Sequence, residues 1–410
     1  MKYVIKPFQN YANSKNYKDY TSNNGNISAF ENNPIKRVKS ALLETFTELT
    51  NVVASSIYDA LGDDTVEVTS AVPIILQVEE HKMMYQKYLN LVCDAIAISG
   101  LVLGTKEANA VMDKFRLEIE LIPEEKKKSN NELFSYLLLR PLKRIHEYEE
   151  LLLNIKNDTE NYYSSFSLDK VKIAHSHWRQ LSNTAHKNQI EAESTKKFWE
   201  SCSPKIIEAL AIPSRRLLRE SKTHMINLHN AGRFSSHYFV LLTDVLVHLQ
   251  YSNFSTYQLK TMWVEVIPNS SAIQNGIQIS LPEDTLTLVC PTSSDKGQWM
   301  YALQEGIKRS VNTSIEYNMQ VPRAPPLVRT ASYTFTKHPQ YKDATYTGQW
   351  FCGKLHGEGV MNWAEGKCYD GEFRQSVFQG PGKLQVPELE GITSYEGVWK
   401  NGKLQGKGII

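Results

Sequence analysis

The stretch NELFSYLLLRPLKRIHEYEELLLNIKN, residues 131–157, decides the fold class. Leu133, Leu137, Leu142, Ile145, Tyr148, Leu152 and Ile155 fall mostly three to four residues apart, the spacing of one buried helical stripe. Lys143, Arg144, His146, Glu147 and Glu150 lie between them and make a charged outer face. Pro141 has no N–H to donate and restricts the residue before it, so the reading expects a kink or a fresh helix start at 140–142.

Working outward, the same periodicity starts near residue 34, with Val38, Leu42, Leu43, Phe46, Leu49, Val52 and Val53 on one face. Further helical patterns cover 72–103, 106–122, 168–199 and 204–209, joined by short links; the charged run 124–128 reads as a solvated turn. Residues 1–33, rich in Asn, Tyr, Ser and Lys, read as a flexible tail. The chain from 34 to 205 is therefore expected to be an all-α bundle.

At residue 213 the texture changes to short runs rich in β-branched and aromatic residues, at 224–228, 238–242, 245–250, 262–267, 277–280 and 286–290. Clusters at 230–232 and 251–256 read as turns. Residues 294–311 read as one helix, capped by Ser294 or Asp295, with Trp299, Leu303 and Ile307 inward. Residues 313–340, containing VPRAPPLVRT, read as a semi-rigid linker.

From 341 to 410 a repeat begins at Tyr346, Tyr369 and Tyr395. The units read YTGQWFCGKLHGEGVM, YDGEFRQSVFQGPGKL and YEGVWKNGKLQGKGII. Each has aromatic–x–Gly–x–aromatic, a loop, then Gly–x–Gly. The pattern predicts β-hairpins whose aromatics Tyr346, Trp350, Tyr369, Phe373, Tyr395 and Trp399 stack between neighbours. Gly348, Gly357, Gly359, Gly371, Gly397, Gly406 and Gly408 allow the turns and close backbone approach this requires.

Composition narrows the chemistry. The 410 residues suit two to four domains, and 41% hydrophobic with 22% charged content is ordinary for a globular chain. A net charge of +2 gives no global reason for a nucleic-acid partner. Five scattered cysteines lack zinc spacing and read as reduced thiols of a cytoplasmic protein. The longest apolar run, 95–103, is broken by Ser99 and Gly100, so any membrane contact is expected to be peripheral. There is no P-loop, dinucleotide fingerprint or nucleophile elbow, and His175 and His177 point to different helix faces. Covalent catalysis is not expected, nor is any cofactor or metal.

Three resemblances organise these readings. RPLKRIHEYEELLL resembles the signature helix of Dbl-homology exchange domains, K-P-x-Q-R-x-x-x-Y-x-x-L-L. Arg140, Pro141, Arg144, Tyr148, Leu151 and Leu152 are in register, while Lys143 replaces the usual Gln. Residues 213–312 resemble a pleckstrin-homology domain: strands closed by one helix with an inward Trp. The repeats resemble MORN units. In this order the chain is similar to the alsin family, over residues 34–410. That family carries a preceding propeller and a following Rab-activating exchange domain, neither present here. The fold class expected is multidomain α+β: helical bundle, β-barrel or sandwich with a C-terminal helix, then a β-hairpin solenoid.

The resemblance implies a guanine-nucleotide exchange factor or regulator of small GTPases, Rho/Rac-type through the bundle and linked to endosomal Rab proteins by family. The alternative is a non-catalytic oligomerising scaffold placing partners at endosomal or plasma membranes. Dbl-type domains use a Glu of the first helix against switch I, and a basic residue and an Asn of later helices against switch II. Here the Glu falls on Glu48 if Thr47-Glu48 is the matching pair, and is missing if Thr45-Phe46 is; exchange is expected to be weak or vestigial. Lys143, Arg144, Asn183 and Lys187 are the other GTPase-contact candidates. Lys222, His224 and Arg233 can form a shallow basic pocket for acidic phospholipid. However, Ser235-Ser236-His237 stand where lipid-binding pleckstrin domains have Lys-x-Arg, which favours a docking or structural role. Lysines on the repeat loops suit acidic lipid or a plain solvated rim, and the chain stopping after the third repeat suggests a fragment or a self-associating edge.

Overall fold

The structure, a computed structural model, describes residues 34–61, 78–118, 123–159, 165–222, 225–229, 237–251, 253–311, 324–388 and 391–409. It divides into two units, Met1–Arg216 and Leu217–Ile410.

The first unit holds α1 (Pro34–Leu61), α2 (Val78–Ala97), α3 (Lys106–Glu118), α4 (Pro123–Lys126), α5 (Asn130–Thr159), α6 (Ser165–Glu200) and α7 (Pro204–Leu210). The apolar stripes bury as the spacing requires: Leu42, Phe46 and Leu49 of α1 meet Leu133, Leu138, Leu142, Ile145 and Leu152 of α5 in one core. Two expectations need correction. Of the kink or fresh start expected at 140–142, the fresh start is not made: α5 is one helix with Pro141 inside it. Proline leaves the carbonyl of Leu137 without its helical donor. One residue on, the Leu138 carbonyl accepts a bond from Tyr88 Oη at 2.5 Å, so a side chain of α2 braces the helix beside the proline. α2 ends at Ala97, well before residue 103. Ser99 is left-handed (φ 56°); its N–H donates to Ile96 O and the Gly100 N–H to Ala95 O, the two bonds of a Schellman stop. The 124–128 turn includes a single helical turn, α4, exposed as expected.

The second unit opens with two four-stranded sheets. One is ordered β1 (Leu217–Glu220), β3 (Tyr238–Leu242), β4 (Val245–Gln250), β5 (Asn253–Gln258). The other is ordered β2 (Asn227–Leu228), β8 (Thr285–Val289), β7 (Gly276–Ser280), β6 (Trp263–Val266). α8 (Ser293–Val311) closes them, burying Trp299, Leu303 and Ile307 against Phe239, Leu241, Ile277 and Ile279. Its cap is Thr292, two residues before Ser294 and three before Asp295: Thr292 Oγ1 accepts the Asp295 N–H at 3.1 Å and donates to Asp295 Oδ2 at 2.6 Å. β5 replaces most of the turn expected at 251–256. Tyr251 (φ 54°) turns the chain, and Asn253 already pairs with Gln250.

Gly297 lies in α8 with open space where a Cβ would stand. Gly297→Ala is expected to stabilise the unit by about 0.5–1 kcal/mol by removing a helix-interior glycine. A higher urea midpoint at unchanged slope would confirm it.

The rest is a seven-stranded antiparallel meander in strict chain order: β9 (Val328–Thr334), β10 (Thr345–Phe351), β11 (Lys354–Asn362), β12 (Cys368–Arg374), β13 (Val377–Glu388), β14 (Gly391–Lys400) and β15 (Lys403–Ile409). The hairpins β10–β11, β12–β13 and β14–β15 are the three repeats. Residues 328–334, read as linker, are instead β9, paired along its full length with β10.

Candidate functional site

Glu48 is the exposed member of the first-helix alternatives; Thr45 and Phe46 are buried in the bundle core, so only the Thr47-Glu48 register presents a carboxylate. Glu48 pairs with Lys87 Nζ of α2 at 3.0 Å, and both side chains are more than half exposed, 53% and 55%. A pair so open to water is worth less than about 1 kcal/mol and yields readily to a better partner. On α5, Lys143 and Arg144 are exposed, and both reach Glu147, at 3.7 and 3.1 Å. On α6, Asn183 and Lys187 are exposed one turn apart.

A rigid floor underlies α5 and α6. His146 Nδ1 and Ser182 Oγ lie 2.6 Å apart and join the two helices immediately before Asn183. Tyr85 of α2, Tyr148 of α5 and Trp178 of α6 meet edge-to-face, with ring centroids 5.0–6.2 Å apart. Burial, then the charge and hydrogen bond of Tyr148, push the Tyr85 phenol far above its ordinary range, while the nearby Arg144 opposes the shift. Arg144 is thus near enough to Tyr85 of α2 to act on it, and Asn183 directly follows Ser182, the residue of α6 that meets His146 of α5. Sequence reasoning did not single out Tyr85, Lys87, Trp178 or Ser182. Their roles are contacts between helices, and only the apolar stripe positions of Tyr85 and Trp178 hinted at them.

Of the basic pocket expected in the second unit, Lys222 is exposed, while His224 and Arg233 lie outside the described residues. His237, last of the triplet replacing Lys-x-Arg, is buried, with Nδ1 2.8 Å from His248 Nε2. Burial and the charge of His237 lower the proton affinity of His248.

In the meander, the glycines make slots for tyrosines. A Cβ on Gly348 or Gly359 would come within 2.5 Å of Tyr346, and one on Gly371 or Gly382 within 2.9 Å of Tyr369. The Tyr346 hydroxyl donates to Gln349 O at 2.9 Å, and Tyr369 stacks on Phe378 at 3.7 Å. Trp350 and Phe373 are buried beside Tyr346, and Trp399 donates from its indole to Gly382 O at 2.9 Å. Tyr395 is half-buried; Gly397 pairs with Gly382; Gly357 and Gly406 have positive φ; Gly408 lies in β15.

Residues 199–313 match the alsin PH-like domain family, and 346–368, 369–386 and 395–410 match MORN repeats. Over 335 residues the chain is 32% identical to alsin of Mus musculus and to alsin of Homo sapiens, covering 79% of this chain and 20% of each. The chain is alsin-like. It is also 25% identical, over 65% of its length, to the human ALS2 C-terminal-like protein, of which it covers 28%. The alsin-like chain thus spans about one fifth of the length of the alsins it matches. The family match beginning at residue 199 takes in α7 as well as the strands. Among solved structures, an inhibitor-bound Vav1 aligns with 67% of the alsin-like chain and 48% of its own (TM-score 0.42, 13% identical). A linker-DH/PH fragment of p115-RhoGEF aligns with 75% and 92% (TM-score 0.39, 12% identical). Among the described residues, no helix is long and apolar enough to cross a membrane, and no group of three or more His, Cys, Asp or Glu is placed to hold a metal.

Proposed function

We propose that the alsin-like chain regulates small GTPases as a guanine-nucleotide exchange factor, gripping a Rho/Rac-type GTPase through exposed side chains of α1, α5 and α6. The observation that carries this reading is the presentation of Glu48 on α1, with Lys143, Arg144, Asn183 and Lys187 exposed beside the braced α5–α6 seam. Exchange requires an enzyme that prefers the nucleotide-free GTPase, because GTPases hold nucleotide by on the order of 12–16 kcal/mol. A remodelling surface must therefore be stiffer than the loops it displaces. The three-ring floor and the His146–Ser182 contact supply that stiffness, and the weak surface ion pairs leave the charges ready to change partner.

The test is nucleotide release from purified Rac, Rho and Cdc-type GTPases, and from an endosomal Rab, with the full chain. Acceleration of a Rho-family member is expected. Glu48→Ala and Lys143→Ala should each reduce it by about 10–100-fold, the effect of losing one charged hydrogen bond. No acceleration from folded protein, or acceleration by both variants undiminished from that of the parent chain, refutes the reading.

The alternative, a self-associating scaffold at endosomal or plasma membranes, draws support from the exposed Lys354, Lys400 and Lys403 of the meander, basic groups of the kind acidic phospholipid attracts. It predicts sedimentation with anionic vesicles and a mass above monomer in light scattering.

A further inference from the structure

Within the second unit, the sheets closed by α8 and the meander are tied by contacts made in both directions. Trp263, the first residue of β6, is buried in the meander's core with Ala331, Phe335, Tyr346 and Trp350. Its indole N–H donates to Leu327 O at 2.8 Å. Arg329 of β9 reaches back. Its guanidinium lies 4.5 Å from the Trp263 ring centre and donates to Met262 O at 2.5 Å and Pro326 O at 2.8 Å. Burial lowers its proton affinity to about 10, so it keeps its charge at neutral pH with backbone carbonyls and an aromatic face around it.

Glu283, in the loop between β7 and β8, makes the second tie. Its carboxylate accepts the N–H groups of Thr336 (3.0 Å), Lys337 (2.6 Å) and His338 (2.7 Å). It also accepts the hydroxyls of Thr336 (3.0 Å) and Tyr333 (2.9 Å). Three successive backbone N–H groups turned on one anion form a nest. Burial raises the carboxyl's proton affinity, but these bonds outweigh it and hold Glu283 below the usual glutamate range. A third approach is backbone to backbone: a Cβ on Gly353, in the turn of the first repeat, would stand 2.7 Å from Leu281 O.

We propose that residues 326–338 act as a built-in peptide ligand of the PH-like domain, so that this domain and the MORN array fold and respond as one body. Two domains on a semi-rigid spacer would not place a buried Trp of one in the core of the other. Nor would they send an arginine and a glutamate across in opposite directions. A partner that stiffens the array is thereby felt at β6–β8, whichever surface of the chain engages a GTPase.

Hydrogen exchange on the full chain tests this. Glu283→Gln keeps the shape and removes the charge. Exchange in β7 and β8 on one side, and in β9 and β10 on the other, is expected to rise together by about tenfold or more, as for one cooperative unit. Faster exchange confined to 336–338, with β7, β8 and β10 unchanged, overturns the proposal. Should that variant not fold, Tyr333→Phe removes a single donor from Glu283. The same joint rise, in smaller measure, is expected, and a purely local change again overturns it.

Discussion

Trp178→Ala is expected to destabilise the helical unit by about 3–5 kcal/mol, the cost of emptying a fully enclosed Trp site. Trp178 is 2% exposed and touches both Tyr85 and Tyr148 edge-to-face, so three helices converge on its ring. Removing it deletes two aromatic contacts and leaves a cavity that rigid neighbours cannot refill, because α5 and α6 are also held by His146 and Ser182. At about 2–4 °C per kcal/mol for a unit of this size, the melting temperature should drop by about 10 °C. Thermal unfolding followed by helical circular dichroism gives the answer. Trp178→Phe, which keeps a ring, should lose less than half as much. A drop below about 2 °C for the alanine variant would show that the ring cluster is peripheral to the stability of α2, α5 and α6.

Gly359→Val should be at least as damaging to the meander. The Cβ would fall 2.3–2.5 Å from the ring and hydroxyl of Tyr346, which is itself 0% exposed. Something must leave the slot. If Tyr346 moves, its hydroxyl loses the Gln349 and His356 carbonyls and its ring loses Trp350 and Phe373. Overpacking alone costs about 1–3 kcal/mol, and displacing the tyrosine brings the expected total to about 3–5 kcal/mol. Gly406→Ala is the control. No atom lies within 4 Å of its Cβ, and only its φ of +72° is unfavourable, so about 1–2 kcal/mol is expected. Near-ultraviolet circular dichroism against urea would separate the two; equal losses would rule out the slot as the cause.

Much of the fold could be read from periodicity because the decisive elements each bury one clean face. β3 and β4 were read with their observed limits, since YFVLL and VLVHLQ are apolar on nearly every position. β5, NFSTYQ, escaped because it is an edge strand with mostly exposed polar residues, indistinguishable in composition from a turn. β9 escaped for a different reason: it buries Arg329 and exposes Val328, the reverse of the usual apolar-in pattern, its other buried residue is the small Ala331, and it follows a proline-rich run. The cap at Thr292 was missed by two residues because Thr, Ser and Asp near a helix start all look suitable until the hydroxyl is placed. Of the candidate site, residue types and exposure were legible, but partnerships were not. That Glu48 meets Lys87, or that His146 meets Ser182, depends on how helices distant in sequence come side by side, which no spacing within one helix encodes.

The meander pairs every strand only with its chain neighbours, and β9 leans on Trp263 and Glu283, residues that precede it. Such local topology is quick to form. The meander's junction with the PH-like sheets is not local: Trp263 and Glu283 meet their partners only once residues 326–338 have been made, so the sheets and the first strand of the array are expected to complete together. Beyond β9 each strand pairs with the one made just before it, so the array is expected to extend in the order of translation.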